Sequence, residues 1–260
     1  MRIIILTQEE NLYLPRSFAT LCRALGPEII GIVASPAMST HGGAVKGFLK
    51  HFRLFGLKGT WLMGWRVARA RLLARLTRPR PDREVYSIRQ VADAFAIPYH
   101  RVGKVRDESF LQLLDHYRPD LLISISCPQI IGKKIRDRIP QGCINVHGAP
   151  LPKYRGLMPT FWALRNGETT TAVSVHDLGA KLDDGAILVQ KEVEIARNDT
   201  WDSLVRKTKA AGVEALLEAI QQLKDGTVQR KPNRQEEATY FSFPTVCDQR
   251  EFLAAGRRFF

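Results

Sequence analysis

Four short runs of nearly uninterrupted apolar residues constrain this chain more than any other feature. They are Arg2–Leu6, Ile29–Ala34, Asp120–Ser126 and Cys143–His147. Strands with one wet face alternate polar and apolar residues; strands buried on both faces do not. Helical patterns lie between the runs. Leu14–Leu25 is stopped by Gly26-Pro27, and Asp107–Tyr117 sets Phe110, Leu111 and Leu114 on one side. Pro98–Val102 is a weaker strand. This alternation predicts a parallel sheet in an α/β layer fold. Beyond residue 168, Thr171–Leu178 and Ala186–Ile195 alternate as strands, separated by Gly179-Ala180-Lys181 and Asp183-Asp184-Gly185 turn material. Asp199 or Thr200 can cap a long helix running to about Leu223 and closed by Gly226. Residues 227–260 read as a tail with a strand-like start and a short helix.

With 260 residues, 45% hydrophobic and 25% charged, the chain can bury a sizeable core and is not of disordered or fibrous type. No stretch of eighteen apolar residues calls for a membrane span. The start, Met1-Arg2 followed by Ile3-Ile4-Ile5-Leu6, reads as a buried strand and not as a signal peptide. Cys22, Cys127, Cys143 and Cys247 form no CxxC pair, so neither a zinc site nor a disulfide framework is expected. A reducing cytoplasm is the default compartment, with peripheral attachment at the inner face of a membrane as an option.

Charge is unevenly distributed. The net charge is +13, yet the 53 residues from Ile29 to Pro81 contain ten Lys or Arg and no Asp or Glu. Within this stretch Phe48, Leu49, Phe52 and Phe55 fall on one helical side. Trp61, Trp65, Ala68, Leu72 and Leu76 share another, with Arg75 projecting near it. Two short amphipathic basic helices are the simplest reading. They could pack their aromatics on the domain, dock residues 44–80 on an anionic membrane or a lipid-linked acceptor, or neutralise nucleic-acid phosphates, the weaker alternative.

The chemistry-bearing residues are concentrated between Cys143 and Gln190. Asn145 and His147 are two apart at a strand end, so their side chains project to the same side. A parallel sheet offers its ligand site at that carboxyl edge. The Pro- and Gly-rich residues that follow must turn over the edge, and the Leu182–Gly185 turn can bring a carboxylate back to it. An amide, an imidazole and a carboxylate together suit acyl transfer to an amine. The carbonyl oxygen gains negative charge and needs donors, while the amine must lose a proton to a base.

These residues resemble the folate-dependent formyltransferases, a family that includes glycinamide ribonucleotide, methionyl-tRNA and sugar N-formyltransferases. Five elements occur in order: Asn145-x-His147, Leu151-Pro152-x-Tyr154-Arg155-Gly156, Asn166-Gly167-Glu168, a strand ending in His176, and Leu182-Asp183-x-Gly185. The resemblance implies a Rossmann-like, mostly parallel sheet with helices on both faces. Residues 1–225 would form the catalytic domain, with a basic helical insertion at about 42–83, and residues 226–260 a C-terminal extension. It implies Asn145, His147 and Asp183 as the catalytic triad, with Asp184 the rival for the carboxylate role. N10-formyltetrahydrofolate would be the formyl donor, with no metal. Its pterin would lie against Cys127, Pro128, Gln129, Ile130 and Ile131, with Gly179, Ala180, Lys181 and Leu182 as the opposite wall. His176, Tyr154 and Arg155 are candidates on the substrate side; the alternative readings are that His176 orients its neighbours and that Tyr154 and Arg155 shape the loop.

Some positions depart from the family pattern. Gly148-Ala149-Pro150 follows His147 where Pro-Ser or Ala-Ser is frequent, and Ala172 replaces a frequent Gly. Thr7-Gln8-Glu9-Glu10 after the first strand is not the Gly-rich phosphate loop of the purine enzyme. The 34 residues after Gly226 are fewer than the C-terminal barrel of the tRNA enzyme needs. The expected acceptor is therefore a primary amine on a small molecule, an amino sugar on a nucleotide or lipid carrier. Formylation of methionyl-tRNA, or a non-catalytic membrane- or RNA-binding module, are the alternatives. The oligomeric state stays open, a homodimer included.

Overall fold

The structure, a computed structural model, describes residues 1–36 and 43–260, with side chains described from Gly47 onward in the second part. The 37–42 end of the basic segment and the Lys46 side chain lie outside the described residues.

A seven-stranded sheet has the order β3-β2-β1-β4-β5-β7-β8. Its strands are β1 (Ile3–Gln8), β2 (Ile29–Ser35), β3 (Tyr99–Arg101), β4 (Leu121–Ile125), β5 (Cys143–His147), β7 (Thr170–Asp177) and β8 (Ile187–Glu194). The first five are parallel, while β7 pairs antiparallel with both β5 and β8. This is the mostly parallel sheet that the nearly uninterrupted apolar runs predict. Side-chain alternation along β1 shows why Ile3–Leu6 contains no polar position. Ile3 and Ile5 pack with α1 (Leu14–Leu25), α3 (Ile88–Ala94) and α7 (Trp201–Asp225), while Ile4 and Leu6 pack on the other face with α4 (Glu108–Tyr117) and the short α5 (Lys133–Arg136). Both faces are dry. The sequence gives no clear signal for α3, only seven residues long and begun by the Ser87 hydroxyl accepting from Gln90 N. The cap of α7 is Thr200, in a reciprocal capping box with Ser203, and Gly226 closes it at φ +67°.

A second apolar cluster lies at the carboxyl end of the sheet. It joins α6 (Pro159–Arg165), the start of α7, Leu54 and Phe55 of α2 (Gly43–Leu76), and Phe252 and Phe259 of the tail. The helix α2 is two helical stretches broken at Gly56, where φ is +66°. The tail is woven into this cluster. Its β9 (Tyr240–Phe241) pairs with β6 (Arg155–Gly156), and α8 (Val246–Ala254) buries Phe252 between Phe161 and Phe259.

Candidate active site

The strand β5 ends where its two polar side chains meet β7. Asn145 is paired in register with His176, and His147 with Ser174. The His176 ring is fully buried. Its Nδ1–H donates to the Asp177 carbonyl at 2.8 Å, which leaves Nε2 as an acceptor for the Asn145 amide at 3.1 Å. This pairing turns the Asn145 NH2 inward and leaves its second N–H available. Burial holds the His176 pKa below the ordinary imidazole value, although the nearby Asp183 carboxylate pulls it upward.

Beyond His147 the chain cannot continue the sheet, and it folds back over the strand end. Tyr154 takes a left-handed conformation (φ +58°) and presents its carbonyl to His147 Nε2 at 2.8 Å. The remaining nitrogen, Nδ1, faces Asp183 Oδ2 at 3.6 Å, and both side chains are about 7% exposed. Asp183 Oδ1 lies 3.7 Å from His176 Nε2. One carboxylate thus stands between two imidazoles.

Asp183 is held from two directions. Its Oδ2 accepts from Gly156 N at 3.0 Å, and Asn233 of the tail donates to the carbonyls of Asp183 and Gly185 at 2.9 and 2.8 Å. Gly156 has φ +100°, and a Cβ there would lie 2.2 Å from the Phe241 carbonyl oxygen, so glycine alone fits. Asp184 does a different job. It accepts from Lys181 N at 3.0 Å and lies so close over Gly179 that a Cβ there would meet its carboxylate at 1.9 Å. Asp183 points into the cluster, and Asp184 closes the turn.

The cluster opens into a cavity of about 500 Å³. Asn145, His147 and Asp183 line it together. Cys127, Pro128, Gln129, Ile130 and Ile131 form one wall, and Gly179, Ala180, Lys181 and Leu182 form another. Gln129 is pinned to the Gly103 carbonyl and Val105 N, which fixes its loop. Ile130 and Leu182 stand largely exposed at the rim. The Cys127 thiol is pushed above its ordinary pKa by burial, as befits a wall residue and not a nucleophile. A third side carries Gln8, Glu10, Tyr13, Trp201 and Lys209.

Two expected substrate-side residues are turned away from this cavity. The Tyr154 side chain stacks on Phe241 and donates to Glu168 at 2.5 Å. Arg155 is buried against Gln235 and Asn233 of the tail. The left-handed turn at Tyr154 aims the backbone at His147 and both side chains into the protein. His176 acts on the cluster through Asn145 from beneath the cavity floor. Conversely, Asn233, Ser126 and Lys209 have no signal in the motif, and Gly156, which stands in it, gives no sign there of its hold on Asp183. Lys209 donates to Ser126 Oγ at 2.7 Å, and burial lowers its pKa. Only the helix register, read together with the packing of α7 on the sheet, could have found it. Among the described residues no His, Cys, Asp and Glu group is arranged to hold a metal ion.

An amide, an imidazole and a carboxylate converging at the carboxyl edge of a Rossmann-like sheet, beside a deep cleft, are the parts of an acyl-transfer enzyme. The family model described as formyl transferase matches residues 72–220, and the chain belongs to this family. A methionyl-tRNA formyltransferase of Acetivibrio thermocellus is 39% identical over 138 residues, which are 53% of this chain and 44% of that protein. The chain spans about half the length of the curated relatives it matches. Among solved structures, the N-formyltransferase of Helicobacter canadensis, solved with folinic acid and dTDP-3-aminofucose, aligns with 98% of this chain and 80% of its own (TM-score 0.61, 16% identity). Phosphoribosylglycinamide formyltransferase of Anaplasma phagocytophilum aligns with 94% of this chain and 99% of its own (TM-score 0.59, 18% identity). At such identities these structures speak for the fold.

Proposed function

We propose that this protein transfers a formyl group from N10-formyltetrahydrofolate to a primary amine of a small-molecule acceptor, an amino sugar on a nucleotide or lipid carrier. Residues 1–225 carry the chemistry, and residues 226–260 brace it. The observation that carries this reading is the convergence of Asn145, His147 and Asp183 on one cavity. The cavity suits the donor: its walls at 127–131 and 179–182 mix apolar side chains with loop backbone, as a flat heterocycle with polar edges requires. When bound, the donor supplies an activated formyl group, so no protein nucleophile is needed.

The chain's residues divide the remaining work. The free N–H of Asn145 and, when the ring carries both protons, Nδ1–H of His147 would donate to a carbonyl oxygen as negative charge grows on it. With Nε2 committed to Tyr154, Nδ1 is the His147 position left for chemistry. Asp183 faces that nitrogen and would take the proton from an incoming amine as its base. On the third side, Tyr13 and Trp201 meet edge to face at 6.1 Å and make an aromatic wall of the kind that packs against a sugar ring.

The test is incubation with N10-formyltetrahydrofolate and a panel of amines, following tetrahydrofolate release. Turnover on amino sugars, abolished in His147→Ala, supports the proposal. Turnover on charged tRNA alone would replace the acceptor with methionyl-tRNA, the reading favoured by the names of the curated relatives.

A further inference from the structure

Beyond Gly56, α2 is apolar on two opposite sides. At 100° per residue, Met63, Val67, Ala70 and Ala74 share the side turned to the protein, where Ala70 is buried and Met63 touches Tyr13. Leu57, Trp61, Trp65, Ala68, Leu72 and Leu76 occupy an arc of about 100° on the other side. That second row faces solvent: Leu57 is 74% exposed, Trp61 69% and Leu76 71%. It runs for about 28 Å. Single exposed apolar residues are ordinary, but a continuous row containing two tryptophans marks a surface with a partner. Phe48 and Phe52, stacked on each other in the preceding stretch, are also exposed.

The flanking charge selects the partner. Arg71 and Arg75 border one margin of the row, and Lys58 and Arg69 the other; all four are exposed. Among the described residues the ion pairs of this segment are Arg66–Asp202 and Arg80–Asp82, so these four have no carboxylate partner. No acid occurs from Ile29 to Pro81. An apolar row between two cationic margins fits a bilayer, where aromatics enter the headgroup layer and Lys and Arg reach sideways to lipid phosphates. A nucleic acid would instead want the cations contiguous. We infer that the outer face of α2 docks this protein on an anionic lipid surface.

The inner face ties that surface to the cavity. Phe55 lies 5.1 Å from Trp201, and Arg66 reaches Asp202 at 2.8 Å, whose carboxylate also accepts from Tyr13 at 2.5 Å. Tyr13 and Trp201 both line the cavity. Docking therefore holds its acceptor side about one helix diameter, ~10 Å, from the lipid. Resting on the formyl-transfer reading, this favours the lipid-linked form of the acceptor.

The experiment is sedimentation of the full chain with phosphatidylcholine vesicles, with and without phosphatidylglycerol, in the absence of donor and amine. Binding at least roughly tenfold tighter to the anionic vesicles, weakened by salt and accompanied by a tryptophan blue shift, is expected. The variants W61S/W65S and R71E/R75E should each lose it while keeping the far-UV spectrum of the natural chain. The charge-reversed pair separates lost docking from lost folding. Equal, weak sedimentation with both vesicles overturns the inference. So does RNA binding in its place, or a dimer that the W61S/W65S variant dissociates. Vesicle binding is read without turnover, so its failure is distinct from a failure of formyl transfer.

Discussion

The Asp183 carboxylate lies 3.6 Å from Nδ1 of His147, facing it directly but beyond a tight hydrogen bond. Both groups are nearly buried, so the interaction is poorly screened and sensitive to the charge of either partner. Asp184, one residue on, spends its carboxylate on the turn. Asp183→Asn should lower kcat by about 10²–10⁴-fold, in the range of a lost general base. Asp184→Asn should keep kcat within a few fold and lower Tm. Tetrahydrofolate release and a thermal melt of each variant check this; equal kcat losses would return Asp184 to the site.

His176 makes stability depend on pH. Burial depresses its folded-state pKa, so on acidification the unfolded chain takes up this proton first, near the ordinary value of 6.5. The stability it contributes is full above about 6.5 and falls as pH drops from there toward the depressed folded value. The slope in that window is at most about 1.4 kcal/mol per pH unit. The fall in Tm from about pH 7.5 to about pH 5.5 should be smaller in His176→Asn than in the natural chain. An unchanged difference would mean that the ring already carries the proton when folded.

The legible parts of this protein were those set by local spacing. The sheet follows from runs nearly free of polar residues, and Asn145 and His147 from a two-residue step in one strand. The Leu182–Gly185 turn was legible because its spacing is rigid. Asn233 and Lys209 reach the site through contacts with residues at least 48 positions away, which local periodicity cannot register. For Tyr154 and Arg155 the structure favours the loop-shaping reading over substrate contact, because one left-handed residue turns their side chains away from the cavity. In α2 the stripes were visible, while the protein-facing side was not. A helix with two apolar faces leaves that choice to its neighbours.

Asn233 offers a direct test that the tail supports the site. Its amide spans the carbonyls of Asp183 and Gly185, and its own side-chain oxygen accepts from Arg155 at 2.7 Å. Asn233→Ala leaves a buried guanidinium short of an acceptor and frees the turn that carries Asp183. A loss of about 1–3 kcal/mol is expected from the unsatisfied donor, measured by urea denaturation. Catalysis should suffer in kcat more than in the KM for N10-formyltetrahydrofolate, because Asn233 braces Asp183 directly, while the 127–131 wall proposed for the donor is held by other contacts. A KM effect alone would detach the tail from the chemistry.

Phe252 tests whether residues 226–260 are an appendage or part of the core. It is fully buried, stacked on Phe161 at 4.9 Å and on Phe259 at 4.7 Å. Phe161 lies on α6, the helix that follows the loop over His147, so the tail fills the space behind the edge that carries the candidate site. Phe252→Ala removes a ring from a packed aromatic cluster and should cost about 3–5 kcal/mol. A chain stopped at Gly226 would expose Phe161 and Trp162 together and lose the Asn233 and Arg155 contacts as well. That shortened chain should bind a hydrophobic dye, lose cooperative melting and show no turnover. Cooperative melting close to that of the full chain would instead make the first 226 residues an independent folding unit, with the tail laid on afterwards.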